Sequence, residues 1–379
     1  MPMFFRVVVV SFALALAVAD SGCSGSASAN EAPRDTLYIG VAALRTNATY
    51  FNGVTLALER LNAERPKNAP WLALRLPPEV QASQVKVAQR FRDARDVIGV
   101  VGHTGSAQTM DAAPVYGDMD HEGRNAVVAI TPTATNPSVT KLNDWVFRVC
   151  PTDDDAARQL ARFAFDTAGA KRVAILYRND LFGRGFTRVL APELERGGAT
   201  VVERDPYLAG VTEYAAYALR MSSRKVDVLV VAGGGADAAD MVRALRRVGA
   251  APTVLGTDDV ANISTNAAGG AAPGEFQGVR FTAFYDAGRA STNEETAFVK
   301  EYRQRFQQTP NHQAALSYDA AMLIGRAVHA VGGNRRKVRD WIADLGRGKP
   351  AFRGLTGDIK FAGGGDAIGK QILMGRVTP

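Results

Sequence analysis

The 379-residue chain has few of the side chains on which metal centres and disulfide frameworks depend. It contains two cysteines and four histidines, His103, His121, His312 and His329, and these show no ligand spacing typical of a zinc site. If Cys23 is acylated or removed, Cys150 remains alone and no intramolecular disulfide can form. The chain also lacks a G-x-S-x-G nucleophile elbow. We therefore predict no metal site and find no motif for nucleophilic catalysis.

The chain also lacks an apolar run long enough to span a bilayer. The run from Val7 to Val18 has 12 residues, whereas a spanning helix needs about 20. It follows Arg6 and is typical of the apolar core of a secretion signal. We therefore predict that residues 1–22 are a signal peptide and that the protein works outside the cytoplasm.

Two cleavage sites compete at the end of this signal. Small residues before Cys23 resemble a lipoprotein site, at which the thiol is acylated, although Asp20 stands where an apolar residue is usual. Ala27 to Ala29 instead fits ordinary signal peptidase, which would release a protein beginning at Asn30. Residues 23–35 are small and polar, as a flexible tether requires. This favours the lipoprotein, with membrane contact only through a lipid on Cys23; the alternative is a free periplasmic protein.

The positive charge of the chain is spread out. Its 45 basic and 38 acidic residues give a net charge of +7. The densest basic cluster, Arg335 to Arg339, lies on a predicted helix without interleaved aromatic residues. This is typical of a solvated helix face, so we predict no nucleic-acid partner.

Apolar runs alternate with helical patterns down the chain and predict an α/β fold. The runs are almost entirely apolar and do not alternate with polar residues, as in parallel strands covered by helices on both faces. They are Leu37–Ala42, Val97–Val101, Ala126–Ile130, Val173–Tyr177, Val226–Ala232 and Val254–Gly256. Between them, Phe51, Val54, Leu58 and Leu61 recur at helical spacing. There are too many β-α units for one ordinary sheet, which predicts two α/β lobes with the chain crossing between them more than once.

Two glycine-rich segments imitate nucleotide-binding motifs. Gly233 to Ala238 follows a predicted strand but lacks the third glycine of a dinucleotide fingerprint. Gly364 to Lys370 has P-loop spacing but is followed by Gln371 instead of a hydroxyl residue. A close backbone approach at the first and a surface hairpin at the second are the better interpretations. We therefore predict no cofactor.

Polar residues follow two of the predicted strands directly. Ser106 comes after Val97–Val101, where an N-capping serine would present its hydroxyl beside free backbone N–H groups. A loop rich in hydroxyls, Thr131 to Pro137, comes after Ala126–Ile130. Ligands of doubly wound sheets bind at the carboxyl ends of strands. We therefore predict a ligand site at these two loops.

These segments also carry a family resemblance. In order, VIGVVGHTGSAQ, AVVAITPTATNPSVT, VFRVCPTDDDAARQLARFA, RVAILYRNDLFGRGF, DVLVVAGGGADAADMVRALRRVGA, VLGTDDVAN, SYDAAMLIGRAVHAVG and FRGLTGDIKF cover most of residues 36–362. They resemble the leucine/isoleucine/valine-binding family of extracytoplasmic solute-binding proteins, which serve ABC importers. The resemblance implies the type I periplasmic-binding fold: two Rossmann-like lobes, three hinge crossings and a ligand cleft between the lobes. We expect lobe 1 at 36–149 plus 283–362, and lobe 2 at 150–282 plus 363–379.

The resemblance also implies how a small solute would be held. Ser106, Ala134 and Thr135 match loops that hold the α-carboxylate of an amino acid through backbone and hydroxyl groups. Thr133 is a further candidate ligand contact, because it lies in the same hydroxyl-rich loop. Asp258 matches the position of a carboxylate that holds the α-ammonium. Phe182 replaces a cleft tyrosine, keeping the ring without its hydroxyl. Apart from the resemblance, His103 lies next to the serine loop in the chain, where it could add a donor to the ligand or could be a packed loop histidine.

Departures from the family pattern leave the ligand open. The loop Ala43 to Tyr50 is shorter than in the family, and an aromatic position falls in Gly233 to Gly235, which would leave room for a solute larger than leucine. The expected function is capture of a small polar solute, an amino acid or a related amide or carboxylate, for an ABC importer permease, without catalysis. The alternatives are a ligand-sensing protein with a separate signalling partner and an exported dinucleotide-binding enzyme.

Overall fold

The computed structural model describes residues 35–77, 83–208, 210 and 213–378. The predicted signal peptide at 1–22, the predicted lipidation site Cys23 and the tether up to residue 34 lie outside these residues. Within the described part of the chain, no helix is both long and apolar enough to cross a membrane.

The first sheet has five parallel strands in the order β2-β1-β3-β4-β5. Its central strands are buried on both faces, which accounts for their continuous apolar sequence. The strands are β1 Thr36–Ala42, β2 Trp71–Arg75, β3 Val97–Gly102, β4 Val128–Thr131 and β5 Val146–Arg148.

The second sheet has six strands in the order β13-β10-β9-β8-β6-β7. Its pairs are parallel except at the edge, where β13 runs antiparallel to β10. The strands are β6 Arg172–Arg178, β7 Thr200–Tyr207, β8 Val228–Ala232, β9 Thr253–Gly256, β10 Arg280–Ala283 and β13 Leu373–Arg376. A separate hairpin joins β11 Phe352–Gly354 to β12 Gly357–Ile359.

Helices cover both sheets. They are α1 Ala48–Ala63, α2 Gln84–Asp93, α3 Ser106–Tyr116, α4 Asp153–Asp166, α5 Leu181–Arg196, α6 Ala215–Ser223, α7 Gly235–Arg247, α8 Ile263–Asn266, α9 Asn293–Phe306, α10 His312–Val331 and α11 Arg335–Ala343. Helix α10 is the most deeply buried, because it packs between α1 and the first sheet, where the hydroxyl of Ser317 donates to the carbonyl of Tyr50 at 3.2 Å.

The chain passes between the two sheets three times. It leaves the first sheet after β5 and enters α4, returns after β10 to helices α9 to α11, and reaches the second sheet again at β13. Residues 363–368 stay beside the first sheet, where Asp366 bridges to Arg148 of β5, and the third crossing is complete only near residue 373. The predicted two-lobed α/β architecture with three crossings is confirmed.

The structure differs from the sequence-based expectations in two respects. The edge strands β2 and β7 were not predicted, because partly exposed edge strands do not show a continuous apolar run. The basic cluster at the start of α11 is not wholly solvated. Arg335 is directed inward and donates to the backbone carbonyls of Arg92, Val97 and Asn125, which ties α11 to the first sheet.

A fully buried arginine joins the end of the first sheet to the third crossing. The guanidinium of Arg148 donates to Asp366 at 2.6 and 2.8 Å, and to the carbonyls of Ala134 and Asn136 at 3.2 and 2.8 Å. A buried cation is stable only when such partners surround it. Arg148 therefore fixes the loop after β4 and the crossing segment to each other.

We predict that Arg148→Leu lowers the free energy of unfolding by about 3–5 kcal/mol, because it leaves two loop carbonyls and Asp366 without their partner. Urea denaturation measures this loss. The matched control is Arg196→Leu, which removes the exposed pair with Glu193 and should cost less than about 1 kcal/mol. Equal losses in the two variants would contradict the role of Arg148.

Candidate functional site

A small polar pocket lies between the carboxyl ends of the two sheets. The first-lobe elements supply hydroxyl residues and the start of α10, and the second-lobe elements supply acids, an arginine and a phenylalanine. The lining residues are Thr104, Gly105, Ser106, Thr133, Thr135, Arg178, Phe182, Asp258, Asp259, His312 and Gln313. The pocket has a volume of about 110 Å³. This placement brings together five predicted site residues: Ser106, Thr133, Thr135, Phe182 and Asp258.

Ser106 forms one wall of the pocket but is not the N-cap of its helix. The N-cap of α3 is Gly105, and Ser106 is the first helical residue. Its Oγ accepts a hydrogen bond from the backbone N–H of Asn136 at 3.2 Å, which leaves the hydroxyl proton free to be donated into the pocket. Because helix N-termini carry partial positive charge, this wall favours the negative end of a solute.

Thr133 is held in a chain of hydroxyl groups. Its hydroxyl donates to the carbonyl of Thr104 at 2.7 Å and therefore accepts from the phenol of Tyr50. Tyr50 is fully buried, and burial raises its pKa, so it remains a donor. The proton of Thr133 is already used, so Thr133 can offer a ligand only a lone pair. Tyr50 was not among the predicted residues.

Thr135 lines the same wall in front of a buried acid. Its carbonyl accepts from the backbone N–H of Asp153 at 2.9 Å. Burial raises the pKa of Asp153 to about 7, against the opposing effect of the Thr135 hydroxyl, and Oδ2 of Asp153 has no partner in the described part of the chain. A carboxyl with this pKa is partly protonated near neutral pH, so the hydroxyl wall is less negative than its sequence suggests.

Two predicted ligand contacts do not agree with the structure. Ala134 is fully buried outside the pocket lining; its N–H donates to the hydroxyl of Thr131 and its carbonyl accepts from Arg148. His103 also lies outside the lining, with Nδ1 2.6 Å from Gln84 and Nε2 2.8 Å from the Tyr116 hydroxyl. Burial lowers the pKa of His103 to about 3. Both groups have their polar atoms occupied, so neither is free for a ligand.

The acids of the opposite wall follow β9. Asp258 begins a 3-10 turn, and its side chain is 16% exposed. Burial raises the pKa of Asp258 to about 6. Asp259 is next to it on the more exposed side of the pocket. His312 faces this wall from the first lobe, with Nε2 3.6 Å from Oδ2 of Asp258. His312 and Asp259 were not among the predicted site residues.

Phe182 and Arg178 close the side of the pocket on the second lobe. Phe182 lies at the start of α5, and the centroid of its ring is 5.8 Å from the ring centroid of Phe186. Arg178 ends β6 and donates to Asp180 at 2.5 Å. The extra room predicted at Gly233 to Gly235 is not present at Gly233, where the hydroxyl of Tyr207 occupies the space that a side chain would fill. At Gly234, the atoms nearest to an added Cβ are Oδ2 of Asp237 at 3.3 Å and a guanidinium nitrogen of Arg178 at 4.0 Å. Gly233 allows a close approach, as the glycine-rich turn suggested.

The described residues contain no cluster of histidine, cysteine and acidic side chains that could hold a metal ion. A larger cavity of about 420 Å³ lies at the second and third crossings, lined by segments around Tyr285, Thr356 and Lys370. It contains none of the predicted site residues. The polar pocket between the sheets is therefore the better candidate for solute binding.

Comparison with known proteins decides the family. The family model described as periplasmic binding protein matches residues 40–378. The chain belongs to the periplasmic binding protein family. Proteins of this family bind solutes and are not enzymes, so the prediction of an extracytoplasmic solute-binding protein without catalytic activity is confirmed.

Individual relatives agree with this assignment. An amino acid binding protein of Pseudomonas aeruginosa is 28% identical over 316 residues, which cover 80% of this chain and 81% of that protein. A branched-chain amino acid transporter substrate binding protein of Streptococcus pneumoniae, solved with isoleucine, has a TM-score of 0.80 at 20% identity and covers 90% of this chain and 96% of its own.

A third similar structure was solved with a different kind of ligand. It is a solute binding protein of an ABC transporter from Rhodopseudomonas palustris, in complex with 3,4-dihydroxybenzoic acid, with a TM-score of 0.76 at 18% identity. It covers 90% of this chain and 93% of its own. At this identity the two structures establish the type I periplasmic-binding fold and leave the ligand to be argued from the pocket.

We predict that Asp258→Asn stabilises the ligand-free protein by about 1–3 kcal/mol at pH 8, because it removes an ionised group from a site that raises its pKa. Asp258 has a folded pKa of about 6, above its ordinary value. At low pH the protonated carboxyl therefore does not destabilise the folded protein. The destabilisation by the ionised form develops as the pH rises through about 6. The gain of the variant should be clearly smaller at pH 5.

Urea denaturation at pH 8, 6 and 5 measures this difference. Asp340→Asn is the matched control, because the Asp340 side chain is 56% exposed and its replacement should change stability by less than about 0.5 kcal/mol. A gain for Asp258→Asn that does not depend on pH would show that the carboxylate is not the cause.

Proposed function

We propose that the pocket binds a small zwitterionic solute, an amino acid or a closely related amide, in a receptor that supplies an ABC importer. This proposal rests on two walls that face each other across the pocket and favour opposite charges. The wall with Ser106 and the N-terminus of α3 favours negative charge, and the wall with Asp258 favours positive charge. A solute with both charges would satisfy both walls at once.

Ligand-dependent closure follows from where these walls lie. Ser106 and Thr135 belong to the first lobe, and Asp258 belongs to the second. A solute bound at both ends gains contacts only when the lobes come together, so it shifts the population toward the closed state. The pocket volume of about 110 Å³ suits a small solute, since an apolar cavity of about 150 Å³ is known to hold benzene.

The two lobes are proposed as residues 36–149 plus 283–362, and 150–282 plus 363–379, with 363–372 acting as the third crossing. This division is supported by the sheet to which each segment contributes strands. We further propose that residues 1–22 are removed as a signal peptide, that Cys23 carries the lipid anchor, and that residues 23–35 tether the receptor. The partner would then be the permease of the importer, approached from outside the cytoplasm.

The expected ligand class can be tested by thermal shift followed by calorimetry. We predict that one or more free amino acids raise the melting temperature, since a ligand at 100 times its Kd stabilises by about 2.7 kcal/mol. Asp258→Ala should lower affinity for that amino acid by at least about tenfold, because a charge-assisted contact is lost, with little loss of stability. Ser138→Ala, at an exposed residue beside the loop, is the control. Unchanged affinity in Asp258→Ala would refute the role of the acid.

The proposed anchor can be tested by mass spectrometry of the N-terminus after expression in a host with a lipoprotein pathway. We expect a mature chain that begins at Cys23 and carries the mass of the added acyl groups. Cys23→Ser should abolish acylation and release the protein from the membrane fraction. A mature chain that begins at Asn30 would instead show cleavage by ordinary signal peptidase.

A further inference from the structure

Two polar groups from different lobes face each other across the pocket. His312 is the first residue of α10, which packs on the first sheet, and Asp258 follows β9 of the second. Their Nε2 and Oδ2 atoms are 3.6 Å apart. This distance is too long for a direct hydrogen bond. A nitrogen atom placed beside both could nevertheless lie within hydrogen-bond distance of each.

The imidazole of His312 is held in place by packing, while its Nε2 atom has no hydrogen-bond partner. The residue is 4% exposed, and its ring packs edge to face against Phe284 with centroids 6.0 Å apart. Nε2 is buried, lines the pocket and has no hydrogen-bond partner in the described part of the chain. Buried polar atoms are nearly always paired, so an unpaired atom directed into a binding pocket points to a ligand.

The charge state of His312 decides what it can recognise. Burial lowers the pKa of His312 to about 4, although the negative charge of Asp259 on the opposite wall acts in the other direction. Its position at the N-terminus of α10 also disfavours an imidazolium. At neutral pH the ring is therefore uncharged, and the tautomer that carries its proton on Nδ1 presents Nε2 as an acceptor.

We infer that His312 completes the positive-end subsite from the lobe opposite Asp258, so that a protonated ligand nitrogen donates one hydrogen bond to each and links the two lobes. This inference rests on the proposed function and specifies its ligand class. The solute must carry a protonated nitrogen with at least two N–H groups. A carboxylate of the same shape without an amine leaves both Nε2 and Asp258 unpaired and is rejected, which separates this site from one for aromatic acids.

The test compares two probes of the same carbon skeleton by calorimetry at pH 7.5. L-Leucine has the amine, and 4-methylpentanoate is the same molecule without it. We expect the wild type to prefer leucine, and His312→Phe to lower leucine affinity by about 10-fold or more, because one hydrogen bond to a charged donor is lost. His312→Gln, which restores an acceptor, should recover most of this loss. His329→Phe, on the same helix, is the control for folding and should bind like the wild type.

A spectroscopic measurement tests the same inference without any ligand. In protein labelled with ¹⁵N-histidine, the nitrogen shifts of His312 at pH 7.5 should show a neutral ring with the proton on Nδ1. A proton on Nε2, or a charged ring, would overturn the inference.

The outcomes separate the inference from the proposed function. Leucine binding that is equal in the wild type and in His312→Phe would overturn the role of His312 while leaving an amino-acid receptor intact. A wild type that binds 4-methylpentanoate as tightly as leucine would overturn the ligand class. If the wild type bound neither probe, leucine would be excluded as the ligand, and the same variants would be titrated with the amino acid found by thermal shift. Equal affinity of wild type and His312→Phe for that amino acid would overturn the inference.

Discussion

A carboxylate held largely out of water without a cation of its own is the constraint on which the cleft depends. Asp258 is 16% exposed, and burial raises its pKa to about 6. When it is ionised and no ligand is bound, the Asp258 carboxylate destabilises the folded protein. In the proposed function, a solute that brings a positive charge offsets this cost, since the nearby imidazole of His312 is uncharged at neutral pH. Closure is then favoured by a solute of the correct charge.

The opposite wall is fixed before a ligand arrives. Thr133 is positioned by Tyr50 and by the carbonyl of Thr104, and the loop carbonyls of Ala134 and Asn136 are held by Arg148. Because these groups are ordered in folding, binding does not have to order them again. In the proposed function, only the distance between the two walls needs to change when a solute binds. One fixed wall and one charged wall would then provide specificity and closure together.

The architecture could be predicted from the sequence because strands buried on both faces have continuous apolar sequences. The edge strands β2 and β7 lack that signal and were missed. Within the site, the family resemblance selected Ser106 and Asp258, which do line the pocket. It could not reveal His312, which meets Asp258 only through the packing of one lobe on the other. His103 was selected by its nearness to Ser106 in the chain, but its ring is directed toward Tyr116.

The three crossings contact residues that line the pocket or support it, so in the proposed function binding and closure are coupled. Phe284, in the second crossing, packs against His312 of the pocket. Asp366, in the third crossing, holds Arg148, which in turn holds the loop after β4. The first crossing leads into Asp153, whose N–H donates to Thr135. Each of the three crossings therefore contacts a residue that lines the site or supports it. A change in the distance between the walls therefore alters the packing of all three crossings. Packed interfaces tend to switch between discrete arrangements and do not deform continuously.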